Sequence, residues 1–289
     1  MPALTTPFLE SGEIDEDGFC RNIEHLLDKG ATGVLAGGCT GEFWALSHEE
    51  RRRLFEIARA AVPTTATLLV GSGAVTVDET VALTRHAESI GCDGSVIVPP
   101  YFVMLTDNEI FAHYADVNEQ IGIPVALYNI PGNAVNGISP ALAARLGALD
   151  RIVAIKESSG DWNNYYATYL AVHESLRVFC GPSSVFGVPA VNLGADGTID
   201  CFPNVWSPGC LDLYFKAKDG SEKEAAELQK TGCRLTELFV TEGRTLYPST
   251  KAAMNILCLP GGGFCRRPLR SVEGEALKGL ERGLKKLGF

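Results

Sequence analysis

The sequence predicts a closed (β/α)8 TIM barrel followed by an additional C-terminal helical region. Three observations carry that prediction. Eight short, apolar, β-rich runs recur at a regular pace between residues 2 and 202, segments with helical periodicity separate them, and from about residue 204 onward no strand-like run appears. Such alternation indicates a parallel sheet wrapped by crossover helices, and eight repeats are the number that closes it into a barrel. The chain therefore divides into a barrel over residues 1–203, through strand eight, and a last barrel helix with a helical region over 204–289.

The runs are, in order, "PALTTPF" (2–8), "GVLAGG" (33–38), "TLLVGSG" (67–73), "SVIVPP" (95–100), "PVALYNIP" (124–131), "IVAIKES" (152–158), "RVFCGPSS" (177–184) and "GTIDCF" (197–202). The first begins almost at once, which raises the expectation that residues closing the barrel floor are missing ahead of it. Between the second and third runs, "SHEERRRLFEIARAAV" (47–62) sets Leu54, Ile57, Ala58 and Ala61 on one stripe, and Ser47 with Glu50 makes a capping box. An open doubly wound sheet is the competing architecture. Its cofactor fingerprint is missing, because "GSGAVT" (71–76) lacks the third glycine and a suitable acid downstream. Beyond residue 204, "EKEAAELQKTGCRLTELFV" (222–240) and "SVEGEALKGLERGLKKL" (271–287) read as helices. "LPGGGF" (259–264) is a loop between them and no phosphate cradle, since no GK[ST] follows.

Composition narrows the function classes. With 25 basic against 35 acidic residues the formal charge is −10, which disfavours nucleic acid and anionic membrane as partners. No apolar run approaches 18 residues and no signal segment opens the chain, so membrane spanning and export are not expected. The nine cysteines form no CxxC pair and read as reduced thiols of a cytoplasmic protein. His25, His48, His86, His113 and His173 show no ligand spacing, so no metal site is expected.

In such a barrel the C-terminal ends of the strands face the active-site mouth. Three runs end in unusual chemistry. "GGCTGE" (37–42) offers glycines whose backbone can approach a ligand and whose successive N–H groups suit a carboxylate, with Cys39 and Thr40 at the same point. Taken alone, this is equally a tight strand-to-helix turn. Tyr128 in "YNIPG" shares a strand face with Ala126 and Ile130, and alone reads as a core tyrosine. "RIVAIKESSGD" places Lys156 at the end of an apolar run, on one face with the small Ala154. An ammonium is costly to bury unless it is paired or neutralised. Together the three suit Schiff-base chemistry on a 2-oxo acid. A desolvated lysine is available as neutral amine, the tyrosine moves protons, and the glycine turn holds the carboxylate.

The pattern GxxGGxTGE, then YNIP, then IKE about 28 residues on resembles the dihydrodipicolinate synthase / N-acetylneuraminate lyase family of class I aldolases. "VIVPPYF" (96–102), "FCGPSS" (179–184), "GADGTI" (194–199) and "YPSTKAAMNIL" (247–257) fall at family-like spacings, so the resemblance runs through the whole chain. It implies Lys156 as the Schiff-base lysine, Tyr128 as the proton-relay tyrosine and Thr40 as the hydroxyl beside the substrate carboxylate. Gly38, Cys39, Thr40, Asn133, Gly181 and Ile199 are the implied substrate contacts. It also implies no cofactor beyond the covalent imine, and a homotetramer built as a dimer of dimers.

The resemblance breaks at three positions. The synthases have two consecutive threonines where this chain has Cys39 and Thr40. They have a tyrosine reaching across the dimer interface where it has Phe102, and a carboxylate-binding arginine where it has Asn133. The sialic acid lyases show a serine–threonine pair at the first of these. The sequence therefore favours a lyase, aldolase or dehydratase, acting on a hydroxylated 2-oxo acid such as a 2-keto-3-deoxy sugar acid or 4-hydroxy-2-oxoglutarate. The alternatives are dihydrodipicolinate synthase itself (pyruvate plus aspartate semialdehyde), a deaminase of a hydroxypyrroline carboxylate and, outside enzymes, a ligand-binding regulatory relative.

Overall fold

The computed structural model describes all 289 residues. Its elements run in chain order α1 (Glu16–Asp28), β1 (Gly33–Ala36), α2 (His48–Ala61), β2 (Thr67–Gly71), α3 (Val77–Ser89), β3 (Gly94–Ile97), α4 (Asp107–Asn118), β4 (Val125–Asn129), α5 (Pro131–Ala134), α6 (Pro140–Leu146), β5 (Ile152–Glu157), α7 (Trp162–Val172), β6 (Arg177–Cys180), α8 (Ser183–Leu193) and β7 (Gly197–Thr198). Four helices follow: α9 (Gly209–Lys218), α10 (Glu222–Val240), α11 (Leu246–Ile256) and α12 (Gly274–Leu287). The strands pair in parallel in the order β1 to β7, each with its successor in sequence. Parallel neighbours need a crossover, and the intervening helices supply it.

The eighth stretch of the barrel is the N-terminal one, and it is shorter than the expected strand over 2–8. Pro2 bridges Asp200 and Ala3 bridges Leu35, both in parallel, so these two residues join β7's end to β1 and close the ring. Pro2 and Pro7 donate no N–H, which limits the ladder to a bridge at each side. The last predicted run is trimmed as well. β7 stops at Thr198, because Asp200 turns its carboxylate onto the N–H of Cys201 and a 3-10 turn follows at Phe202–Asn204. The helix expected over 47–62 forms as α2, with Ser47 and Glu50 exchanging both capping-box hydrogen bonds. No helix is long and apolar enough to cross a membrane.

Side chains divide into layers. Leu35, Val96, Ala126, Ala154 and Ile199 point into the barrel. Val34, Leu68, Leu127, Ile155 and Val178 point outward into the apolar seams under the helices. A separate cluster under α10, α11 and α12 includes Phe202, Leu235, Phe239, Met254 and Leu280. The C-terminal helices thus have apolar packing of their own, and they meet the barrel at its mouth.

Candidate functional site: a buried lysine beneath an aromatic chamber

β4 and β5 lie in register with Tyr128 opposite Lys156 and Asn129 opposite Glu157. Alternation along a strand sends the first pair inward and the second outward. The outward pair is structural. Glu157 is fully buried and accepts hydrogen bonds from Asn129 Nδ2, from Asn164 Nδ2 at 3.1 Å and from the Ser159 N–H at 2.7 Å. Asn129 Oδ1 in turn accepts from the Ile138 N–H at 2.8 Å. These bonds hold the strand ends whose inward faces carry Tyr128 and Lys156. Sequence reasoning passed over both residues, although each stands next to a singled-out neighbour in YN and KE.

Lys156 is 4% exposed and makes no ion pair. Nζ stands over the face of the Tyr128 ring, 4.0 Å from its centroid. Burial holds its pKa below the ordinary lysine value, with Cys39, Asp200 and Cys201 pulling weakly the other way. Burial pushes both thiols up, so they are neutral at pH 7. Of the three, only the Asp200 carboxylate can therefore favour the ammonium. Tyr128 is pushed well above the ordinary phenol value, first by burial, and is a neutral proton donor at physiological pH.

The glycine turn sits beside this pair. Gly37 takes a φ of +66°, which favours glycine, and Cys39–Gly41 forms a 3-10 turn. The N–H groups of Cys39 and Thr40 open that turn and have no intramolecular partner, as at any helix start. Cys39 Sγ approaches the hydroxyls of Tyr128 and Tyr247 and the amide of Asn133. Asn133 Nδ2 donates to Tyr247 Oη at 2.8 Å. Thr40 is buried in the same turn, but its hydroxyl makes no hydrogen bond to Tyr128 or Lys156. Gly181 donates its N–H to Glu157 O at 2.8 Å, where a Cβ would collide with Ser158. Ile199 is fully buried in the barrel interior, at the end of β7.

Above Cys39 opens a chamber of about 500 Å³. Phe43, Trp44, Val98, Tyr101, Ile130, Ala134, Leu246 and Leu269 line it with Cys39, Asn133, Thr245 and Tyr247. Gly38 and Tyr128 line a much smaller gap that shares Cys39, Phe43 and Val98 with the chamber. Of the expected contacts, then, Cys39 and Asn133 line the chamber, while Gly38, Thr40, Gly181 and Ile199 do not. Tyr247 is the main residue that sequence reasoning missed. Its signal was present in "YPSTKAAMNIL", but nothing in that helix start pointed toward Asn133.

The turn is anchored from behind. Glu42, fully buried and left-handed at φ 53°, forms an ion pair with Lys251 of α11 and accepts from the Arg266 N–H at 3.0 Å. Lys251 Nζ also donates to Phe264 O at 2.7 Å and stands 4.4 Å from the Phe8 ring centroid. Left-handed backbone costs a non-glycine residue on the order of 1–2 kcal/mol, which these contacts offset.

Residues 1–287 match the model of a family described as the dihydrodipicolinate synthetase family. The chain is 32% identical to a 4-hydroxy-tetrahydrodipicolinate synthase of Methanothrix thermoacetophila over 95% of its own length and 92% of the relative's. It is 30% identical to another of Heliobacterium modesticaldum, over 100% and 95%. Among solved structures it superposes on YagE, a prophage protein of the dihydrodipicolinic acid synthase family from E. coli K12 in complex with pyruvate, with TM-score 0.94 and 25% identity over 99% and 97% of the chains. It also superposes on CdNal from Clostridium difficile in complex with mannosamine, with TM-score 0.90 and 25% identity over 99% and 97%.

Proposed function

We propose, from the premise that the chain belongs to the dihydrodipicolinate synthetase family, that it is a lyase, aldolase or dehydratase, acting on a hydroxylated 2-oxo acid held as an imine on Lys156. The observation that carries this reading is a buried lysine with no acidic partner, in register with a tyrosine whose hydroxyl stays protonated. The neutral amine attacks C2, and the carbinolamine oxygen takes a proton from Tyr128 and leaves as water. The iminium then accepts the electrons of the C3–C4 bond as the C4 hydroxyl gives its proton to the Tyr128 relay and the aldehyde leaves, or the electrons released when a C3 proton departs before loss of a hydroxyl as water. In either case the enamine is protonated back to an iminium. Water finally returns C2 to a ketone. The free N–H groups of Cys39 and Thr40 suit the 2-oxo acid's carboxylate. No metal or cofactor is needed in this scheme, since the iminium is the electron sink.

The curated relatives named above are synthases, which keeps dihydrodipicolinate synthase as the second reading. Asn133 argues against it. Its amide is engaged by Tyr247, and no cation stands there to receive a second carboxylate. For assembly we propose a homotetramer of two dimers, supported by Phe102 and Met104, which are 87% and 86% exposed on one loop, and for location the cytoplasm, supported by cysteines that are all free. The test of the imine is pyruvate followed by borohydride. The reduced adduct's mass should appear on the peptide containing Lys156 and not on that containing Lys251. No adduct with any of a broad panel of 2-oxo acids would sink the assignment.

A further inference from the structure

The chamber above Cys39 has walls that say what the imine reacts with. Phe43 meets Trp44 and Tyr101 edge-on, with centroids 5.6 and 5.8 Å apart, and Trp44 tilts against Tyr247 at 5.4 Å. Leu246 and Leu269 complete the apolar wall opposite. No charged side chain lines it. Arg51 lies behind Phe43 with its guanidinium 5.2 Å from the ring centroid, and donates to the carbonyls of Gly71 and Gly73. The gap it lines holds about 10 Å³, no more than a water. Besides the Cys39 thiol, the polar groups of the lining are the Asn133 amide, which already donates to Tyr247, and the hydroxyls of Tyr101, Thr245 and Tyr247, all neutral. A carboxylate placed here would lose its water and find no cation, and a chain of hydroxyls would meet a wall that is mostly aromatic and aliphatic. An aromatic ring or branched alkyl group would lose none, and the volume suits a small organic molecule.

We infer that the chamber receives the apolar part of an aldehyde. The reaction joins or separates pyruvate and R–CHO, with R aryl or branched alkyl, through a 4-hydroxy-2-oxo acid bearing R on C4. This rests on the imine reading of Lys156 and adds the class of its second substrate. In the joining direction the pyruvate iminium loses a C3 proton to become an enamine. C3 attacks the aldehyde carbon, the C3–C4 bond forms, and the carbonyl electrons move to oxygen. That oxygen takes a proton relayed through Tyr128, balancing the one lost from C3. The enamine returns to an iminium, and water releases the product and the amine.

The experiment measures kcat/KM for benzaldehyde, 3-methylbutanal, glyceraldehyde and succinic semialdehyde at saturating pyruvate, with borohydride trapping of pyruvate in parallel. The two apolar aldehydes should exceed the two polar ones by roughly 100-fold or more, the range a hydrophobic pocket discriminates. Leu269→Arg, at the half-exposed rim, should shrink that ratio about tenfold or more while the pyruvate adduct still forms. An adduct with glyceraldehyde or succinic semialdehyde preferred, with no aldehyde turned over, or with the ratio unmoved by Leu269→Arg, overturns the substrate class and leaves the imine standing. Absence of the adduct overturns the imine reading, and this inference with it.

Discussion

Lys156 and Lys251 are both nearly inaccessible to solvent, and burial holds the pKa of each below the ordinary lysine value. Their surroundings are opposite. Lys251 has a buried carboxylate from Glu42, a carbonyl from Phe264 and the face of Phe8. Lys156 has one aromatic face and no hydrogen-bond acceptor of its own. A buried ammonium with partners is a structural rivet, and one without them is driven toward the neutral amine. Burial alone therefore does not mark a nucleophile. The missing partner does.

Substitution by methionine, which keeps the stem and removes the charge, separates the two most sharply. Lys156→Met should abolish turnover and borohydride trapping while circular dichroism stays native. Lys156→Arg should be as inactive, because guanidinium stays protonated. Measurable turnover by either would make the contrast meaningless.

Lys251→Met should instead unfold at lower denaturant, by about 3–5 kcal/mol, since it strands the Glu42 carboxylate in the interior. Adding Glu42→Leu should restore much of that loss. For Lys156→Met the expected change in stability has the other sign, a gain of about 0.5–2 kcal/mol, as active-site groups are commonly held at some cost to the fold. Equal destabilisation of the two single variants in urea titrations would break the comparison.

The smallest effect is that of pH. The folded pKa of Lys156 lies below its unfolded value. Between the two values the unfolded chain binds more protons, so this group's contribution to stability rises with pH there and its cost is greatest below the folded pKa. The rate of imine formation should climb with pH by at most tenfold per unit and level off before pH 10.5, the ordinary value. A climb that continues past 10.5 in stopped-flow trapping would mean that Lys156 is not desolvated.

Much of the barrel was readable in the chain itself, as was the place of Lys156 at the end of one of its strands. Strand ends announce themselves when a polar residue closes an apolar run, as Tyr128 and Lys156 do. Pairing across the molecule leaves no such local trace. Glu42 reads as an ordinary helix-start acid, and Lys251 as one charge on an amphipathic helix, until folding brings them together. The same holds for the chamber. Phe43, Trp44 and Leu246 have the character of core residues, and only the meeting of the first βα connection with the start of α11 leaves a space between them. The shortened first and last strands were misjudged for a simpler reason. Pro2 and Asp200 pair with each other only as an isolated bridge, and the 3-10 turn that follows Asp200 ends a ladder that apolar character alone extends.

The anchoring of the glycine turn by α11 and Arg266 also sets a timetable for synthesis. Glu42 and Arg266 are 224 residues apart, so translation at about 5–20 residues per second leaves roughly 10–45 s between them. For most of that interval Glu42 has neither Lys251 nor the Arg266 N–H to hold it. Lys156, emerging in the meantime into water, is an ordinary lysine with a pKa near 10.4, and its protonated amine does not attack the 2-oxo acids around the ribosome. On the proposed reading of Lys156, the nucleophile comes into being only when the barrel closes over it, so that folding itself is the activating step.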